Sequence, residues 1–378
     1  MLLGVYMDPI SRRSALKGLG LAAGLVTLGS SGAGLAFAQP SPTELRVLAI
    51  NTWLNGTRID NGLELVAGII QSTGASVVLL SEARTAAADL VVILERLGLK
   101  FYSAPSEDTA VLSLYPIQET GLFEYMTKAV IAPGGVPIAV YAAHLQYQWY
   151  ATYLPRGYGA GVPEPGRFSE YGWDKIPTGP VTDVAAVTQI NDESGRPTEI
   201  AEFIADAALE QAKGRAVILG GDFNEPSTLD WTPATKDLFD HNGVVLPWGS
   251  TQRLKDAGFV DAYRNLYPDP VTHPGFTWPT DNPDASVSSL TWTPEADERD
   301  RIDYIFAGPS PQLTLTSAGI VGPRGSIVRN QRVEESTADN FVSSPLPWPT
   351  DHKAVIASYR LGSGPIGLPP TFGSSGGR

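Results

Sequence analysis

The sequence predicts a layered α/β protein, on two observations. Short apolar runs with β-branched members (residues 77–80 and 216–219) alternate with stretches of helical periodicity (63–71 and 86–97), the pattern of strands covered by helices. Strand after strand then ends in a polar residue: Asn51, Glu82, His144, Asp222 with Asn224, and Asp351 with His352. One such ending is simply a strand meeting water. A series that contains three carboxylates, two of them in an Asp-His pair and a Gly-Asp-x-Asn, is what a layered fold gives when the loops at one sheet edge gather into a site.

Taken in order, residues 44–50 (ELRVLAI) are apolar enough for a central strand, which runs into Asn51-Thr52-Trp53. Leu63, Val66, Ala67 and Ile70 fall on one helical face, and Gly74 ends that helix. Residues 77–80 read as a second buried strand leading to Ser81-Glu82-Ala83-Arg84, and 86–97 as a second helix. Residues 110–117 read as a strand and turn, and 136–145 as a strand with His144 near its end. A helix over 198–213 feeds the stretch Ile218-Leu219-Gly220-Gly221-Asp222-Phe223-Asn224. Later strands are expected over 258–263 and 300–307, and a last one over 353–361, entered through Pro349-Thr350-Asp351-His352.

Residues 1–38 are read as an export signal and set apart from the fold. They hold the pair Arg12-Arg13, a weakly apolar Gly/Ala-rich region over 18–35, and Ala36-Phe37-Ala38 as a cleavage site. This looks like a twin-arginine signal, with Ala15 where Phe is usual, and it implies a periplasmic or extracellular protein exported already folded. The many Gly and Ser residues disfavour a stable membrane span. The chain has no cysteine, hence no disulfide framework. With a net charge of −13 and no long Lys/Arg run, it is a poor candidate for a general nucleic-acid binder, although bound metal ions can offset acidity locally. Residues 147–197 look inserted, being rich in Gly and Pro and dense in aromatics such as Tyr147, Tyr150, Tyr153 and Trp173. Disordered loops are poor in aromatics, so this segment is read as a folded lid or wall over the site. Residues 225–249, with Trp231 and Trp248, are a candidate second wall, and 362–378 a disordered low-complexity tail.

The sharpest motif is residues 220–224. Two glycines let the backbone turn and let another group approach closely. In an extended segment Asp222 and Asn224 would share a side, where an anionic oxygen beside an amide can bind a hard cation or orient a water or phosphate oxygen. An Asx turn closing a strand would read the same way. Of the four histidines, His144 and His352 lie at strand ends; His241 and His273 lie in loops and read as packing or surface residues. Oxygen ligands with so few imidazoles suit Mg²⁺, Mn²⁺ or Ca²⁺ better than zinc. Carboxylates, an Asn and two His around such a metal suit phosphoryl hydrolysis. Dinucleotide-binding, Walker and His-Glu-x-x-His motifs are missing.

In this order and at these strand ends, Asn51, Glu82, His144, Gly221-Asp222-Phe223-Asn224, Arg301-Ile302-Asp303-Tyr304 and Asp351-His352 resemble the endonuclease/exonuclease/phosphatase superfamily over roughly residues 45–361. The resemblance implies that residues 39–361 form a four-layer α/β/β/α sandwich, with two mixed β-sheets face to face and helices outside. It implies Glu82 as the principal metal ligand, with Asn51 and Asp351 as further ligands or orienters. Asp222 would position or deprotonate the attacking water, and Asn224 would orient it or hold a phosphate oxygen. His352, partnered by Asp303, would hydrogen-bond the scissile phosphate, with His144 as a second phosphate-facing histidine. Arg84 can also reach a phosphate, or else makes a surface salt bridge. Two points depart from the pattern. Leu114 replaces the Arg of the family's Ser-Arg-x-Pro-Ile strand, and the carboxylate that supports catalysis before that strand is either Glu107 or Asp108.

The function expected is exported, divalent-metal-dependent hydrolysis of a phosphate mono- or diester of a small or lipid-linked substrate. An extracellular nuclease is the alternative. A non-catalytic binding protein on the same scaffold is a third reading, which the intact Glu82, Asp222, Asn224, Asp303 and His352 argue against.

Overall fold

Side-chain alternation along the central strands decides the layering. The computed structural model describes residues 43–362; the expected export signal and all but Gly362 of the expected tail lie outside the described residues. Along the chain come β1 (Glu44–Asn51), β2 (Val77–Ser81), β3 (Tyr102–Pro105), β4 (Ala110–Ser113) and β5 (Glu119–Leu122). Next are β6 (Met126–Ile131), β7 (Ile138–His144), β8 (Ala216–Asp222), β9 (Val260–Asp261) and β10 (Asp303–Ala307). The last are β11 (Leu313–Val321), β12 (Gly325–Val328), β13 (Gln331–Glu334), β14 (Phe341–Val342) and β15 (Ala354–Leu361). One mixed sheet has seven strands, ordered β14-β11-β15-β1-β2-β4-β3, and the other has six, ordered β5-β6-β7-β8-β10-β9. β12 and β13 pair with each other.

Leu45, Val47 and Ala49 of β1, with Val77 and Leu79 of β2, meet Ile138, Val140 and Ala142 of β7 and Ile218 of β8 between the two sheets. The alternate residues Leu48, Ile50, Val78 and Leu80 face outward onto the helices Gly62–Thr73 and Ala86–Arg96. On the other side Ala139, Tyr141, Ala143, Val217 and Leu219 cover Ile200, Phe203 and Ala207 of the helix Arg196–Ala212. Period-2 strands with both faces apolar thus give helices, sheet, sheet, helices, the four layers expected.

Local chemistry sets the element ends. Gly74 closes the first of these helices in the left-handed conformation, with φ of +63°. The helix Arg196–Ala212 starts earlier than the spacing suggests, because Pro197 sits in its first turn, where an N–H is not needed. The strand expected over 258–263 is a correction: only Val260–Asp261 is extended. Asp261 then caps the N–H groups of Tyr263 and Arg264, and Ala262–Leu266 turns helical. Several short strands (β3, β5, β12, β13 and β14) carry too little apolar pattern to be read from sequence.

Residues 147–197 contain a further helix, Val184–Glu193, and share a core with residues 225–249. Ala151, Leu154, Val187 and Ile190 pack there with Trp231, Leu246 and Trp248. The two segments read as separate walls therefore form one annex. Buried polar groups tie it to the main domain: Arg156 reaches both oxygens of Asp300, the Tyr150 hydroxyl donates to Asp300 at 3.0 Å, and the Tyr153 hydroxyl donates to Glu298 at 2.9 Å. His241 is a packing residue of the annex, 2 % exposed and stacked on Trp231 with ring centroids 3.7 Å apart.

Burial, helped by the nearby charge of Arg156, pushes the His241 pKa down to about 2. Above pH 6.5 the ring is neutral whether folded or unfolded, and it adds no pH dependence. Below that, the unfolded chain takes up a proton that the folded chain refuses, so acid destabilises the fold. Between pH 6.5 and 5 this single residue is expected to lower the unfolding free energy by roughly 1.5 kcal/mol. Urea unfolding of the wild type and of His241→Phe across that range checks it, the variant losing that part of the slope.

Candidate active site

The site begins as one row across three strands. Parallel pairing of β7 with β8 sets His144 opposite Asp222, and antiparallel pairing of β10 with β8 sets Asp303 opposite Asp222. In the other sheet, pairing of β1 with β2 sets Asn51 opposite Ser81, next to Glu82. The close approach at the end of β8 depends on Gly221. Its φ is +134°, and a Cβ there would lie 2.0 Å from the Ala143 carbonyl.

The two sheets are joined at this edge by hydrogen bonds. The Asn51 Nδ2 donates to Asp222 Oδ2 at 3.0 Å and to Glu82 Oε1 at 3.2 Å, while its Oδ1 accepts from the Trp53 N–H. Ser81 Oγ accepts from the Asp222 N–H at 3.1 Å and donates to the Ala143 carbonyl at 2.9 Å. Glu82 has φ of +55°, and Trp53, Leu54 and Asn55 also have positive φ. Such backbone persists only when the surroundings hold it. Here the Leu54 N–H donates to Glu82 Oε2 at 2.6 Å, and the Asn55 N–H and the Thr52 hydroxyl both donate to the Glu82 carbonyl at 2.8 Å. Asn224 does not continue the strand. Its φ is +48°, its N–H donates to Asp222 Oδ1 at 2.8 Å, and its Nδ2 donates to the Leu145 carbonyl at 3.0 Å. Asp222 and Asn224 are thus brought together by an Asx turn, which corrects the extended spacing that the sequence suggested.

Two histidines converge on Asp222. The Nε2 atoms of His352 and His144 lie 3.7 and 3.9 Å from Asp222 Oδ2, too far for a hydrogen bond, so both remain directed at whatever occupies the gap. His352 Nδ1 is held by Asp303 Oδ2 at 2.9 Å, and His144 Nδ1 by Asp108. Burial alone would lower both imidazoles. The carboxylates outweigh it, raising His144 to about 9, chiefly through Asp108, and His352 to about 10, chiefly through Asp303 and Asp222. Asp108, and not Glu107, is therefore the carboxylate brought to the site. Burial works to raise its pKa, but the His144 bond and charge outweigh burial and hold it low, and the exposed Arg84 adds its charge. Arg84 stands beside Asp108, at the rim.

Asp222, Asp303 and His352 bring possible ligand atoms within 4.8 Å of one another. An imidazole held charged between carboxylates presents N–H groups, so this trio suits proton holding. Glu82 and Asp351 supply oxygen only. Burial raises the Asp351 pKa to about 7, and the negative charge of Glu82 adds to this. Half-buried and beside Glu82, Asp351 offers carboxylate oxygen to a divalent cation. The buried Asp303 Oδ1 also lacks a hydrogen-bond partner.

Residues 48–352 match the Endonuclease/Exonuclease/phosphatase family. The chain belongs to this family. Members of the endonuclease/exonuclease/phosphatase family are generally metal-dependent hydrolases of phosphoester bonds. An uncharacterized Caenorhabditis elegans protein is 26% identical over 328 residues, covering 83% of this chain and 91% of its own. Among solved structures, Danio rerio TDP2 complexed with a single-strand DNA product is 13% identical, covers 84% of this chain and 99% of its own, and has a TM-score of 0.47. The catalytic domain of human Nocturnin with bound sulfate is 13% identical, covers 86% and 97%, and also has a TM-score of 0.47.

Sequence reasoning missed two residues here. In the sequence Ser81 is only the first residue past the run 77–80, and its place before Glu82 is a usable signal. Trp278, whose ring centroid is 6.4 Å from His352, had none. Ser81→Ala leaves the buried Asp222 N–H without its partner and is expected to cost about 1–3 kcal/mol in urea unfolding.

Proposed function

We propose that this protein hydrolyses a phosphate mono- or diester of a small or lipid-linked compound, using a divalent cation, after export by the twin-arginine route. The observation that carries the reading is the convergence of two carboxylate-held imidazoles on the Asn51-held carboxylate of Asp222, beside Glu82 and Asp351. Glu82 and Asp351 would hold the cation, which when bound polarises a phosphoryl oxygen and stabilises the leaving oxygen. Asp222 accepts the proton of the attacking water, its carboxylate fixed by the Asn51 amide and the Asn224 N–H. Asp303 and Asp108 hold His352 and His144 as proton donors, and each presents an Nε2–H to the non-bridging phosphate oxygens, where charge builds up. A nuclease is the second reading. The aromatic annex favours it, since rings can stack bases, and the net charge of −13 opposes it.

The test is hydrolysis of bis-p-nitrophenyl phosphate and p-nitrophenyl phosphate, side by side, with EDTA, Mg²⁺, Mn²⁺ or Ca²⁺, followed by lipid phosphates, inositol phosphates and DNA. EDTA is expected to abolish turnover, and Asp222→Ala or His352→Ala to lower kcat by about 10²–10³-fold. Asp108→Asn should cost about as much as His144→Ala. Full turnover in EDTA or in Asp222→Ala would refute the proposal. For the export route, changing Arg12 and Arg13 together to Lys is expected to retain the chain in the cytoplasm on cell fractionation. Unchanged export would remove that part of the reading.

A further inference from the structure

The segment that leaves β7 after His144 leads to a set of partly exposed rings to which the hydrolytic roles of the site residues give no part. Tyr147 lies three residues after His144, on the segment that leaves β7. The start of that segment is tied to the site, because the Leu145 N–H donates to the Asp222 carbonyl and the Leu145 carbonyl accepts from Asn224. The Tyr147 ring is near-parallel to Trp173, at 17° with centroids 6.4 Å apart, and Trp173 meets Trp292 at 4.9 Å. Tyr147 is 39% exposed and Trp292 44%. Inward, ring contacts continue from Trp173 through Tyr153, Tyr150 and Trp278 to His352.

The platform is preformed. Gly161 lies against the Trp173 indole so closely that a Cβ there would be 2.0 Å from the ring, and the Gly161 N–H bonds the Gly172 carbonyl at 2.8 Å. A side chain held in this way has little freedom left to lose when a ligand covers it. Large rings exposed together mark a binding surface more than a random scatter of apolar residues does. The acidic chain disfavours a long polyanion, but a single phosphodiester needs only the one cationic anchor that the imidazoles supply.

We propose that Tyr147, Trp173 and Trp292 form the subsite for the organic part of the ester, and that this part carries a planar ring of nucleobase type. The substrate class is then a small nucleotide-like phosphodiester. The proposal rests on the hydrolytic reading for its phosphate anchor, and its test separates the two. Asp222→Ala, which should not consume the ligand, is titrated by calorimetry with thymidylyl-thymidine and with the ring-free diester glycerophosphoglycerol. The ring-bearing ester is expected to bind about 10- to 100-fold more tightly. Adding Trp173→Ala or Trp292→Ala should bring it down to the ring-free affinity, and Trp173→Phe should restore most of the difference. Gly161→Ala, which displaces the indole without removing it, should weaken only the ring-bearing ester.

Equal affinities for the two esters overturn the proposal, as does a preference that survives loss of both tryptophans. So does binding to phosphatidylcholine vesicles that the same variants abolish without any ring preference, since the rings would then serve a lipid surface. Ring-dependent binding in a protein that hydrolyses no ester would leave the subsite standing and refute the hydrolase. Hydrolysis of both diesters with equal kcat/KM in the wild type would do the reverse.

Discussion

The amide of Asn51 holds together groups that would otherwise repel one another. Glu82 comes from the end of one sheet and Asp222 from the end of the other, and both carboxylates accept from the same Nδ2. Like charges brought together this closely need hydrogen-bond donors fixed around them. The Leu54 and Asn224 N–H groups and the two imidazoles of His144 and His352 stand around them. The positive φ values at Glu82 and over Trp53–Asn55 point the same way, as local strain held by hydrogen bonds that also orient the carboxylate.

Much of the fold was legible because its strands are covered on both faces. Runs such as those of β1, β2, β7 and β8 admit few other readings, and the glycine that ends the first helix is visible in the sequence. The polar strand ends were legible for the same reason: an apolar run that stops at Asp or His marks where the sheet ends. Their mutual register was not legible. It is set by pairing between residues far apart in sequence, such as His144 with Asp222 and Asp222 with Asp303. Asp108 could not be told from Glu107, since neighbouring residues of like charge differ only in the direction they point.

The annex was harder to read. Aromatic density gave away that residues 147–197 are folded, but their partners, Trp231, Trp248, Trp278 and Asp300, lie as much as 150 residues away. No periodicity connects such positions. The strand expected over 258–263 failed for a local reason: one aspartate at the right place, Asp261, stabilises a helical turn more than Phe259, Val260 and Tyr263 stabilise a longer strand.

The row formed by His144, Asp222 and Asp303 has one more implication. Side chains along a strand alternate between faces, so a slip of β7 or β10 by a single residue would turn His144 or Asp303 to the opposite face. Chemistry at this edge therefore reports on correct strand pairing throughout the six-stranded sheet. Insertions placed just beyond a strand end, like the one after β7, leave that alignment intact. A single residue inserted within β7, β8 or β10 does not.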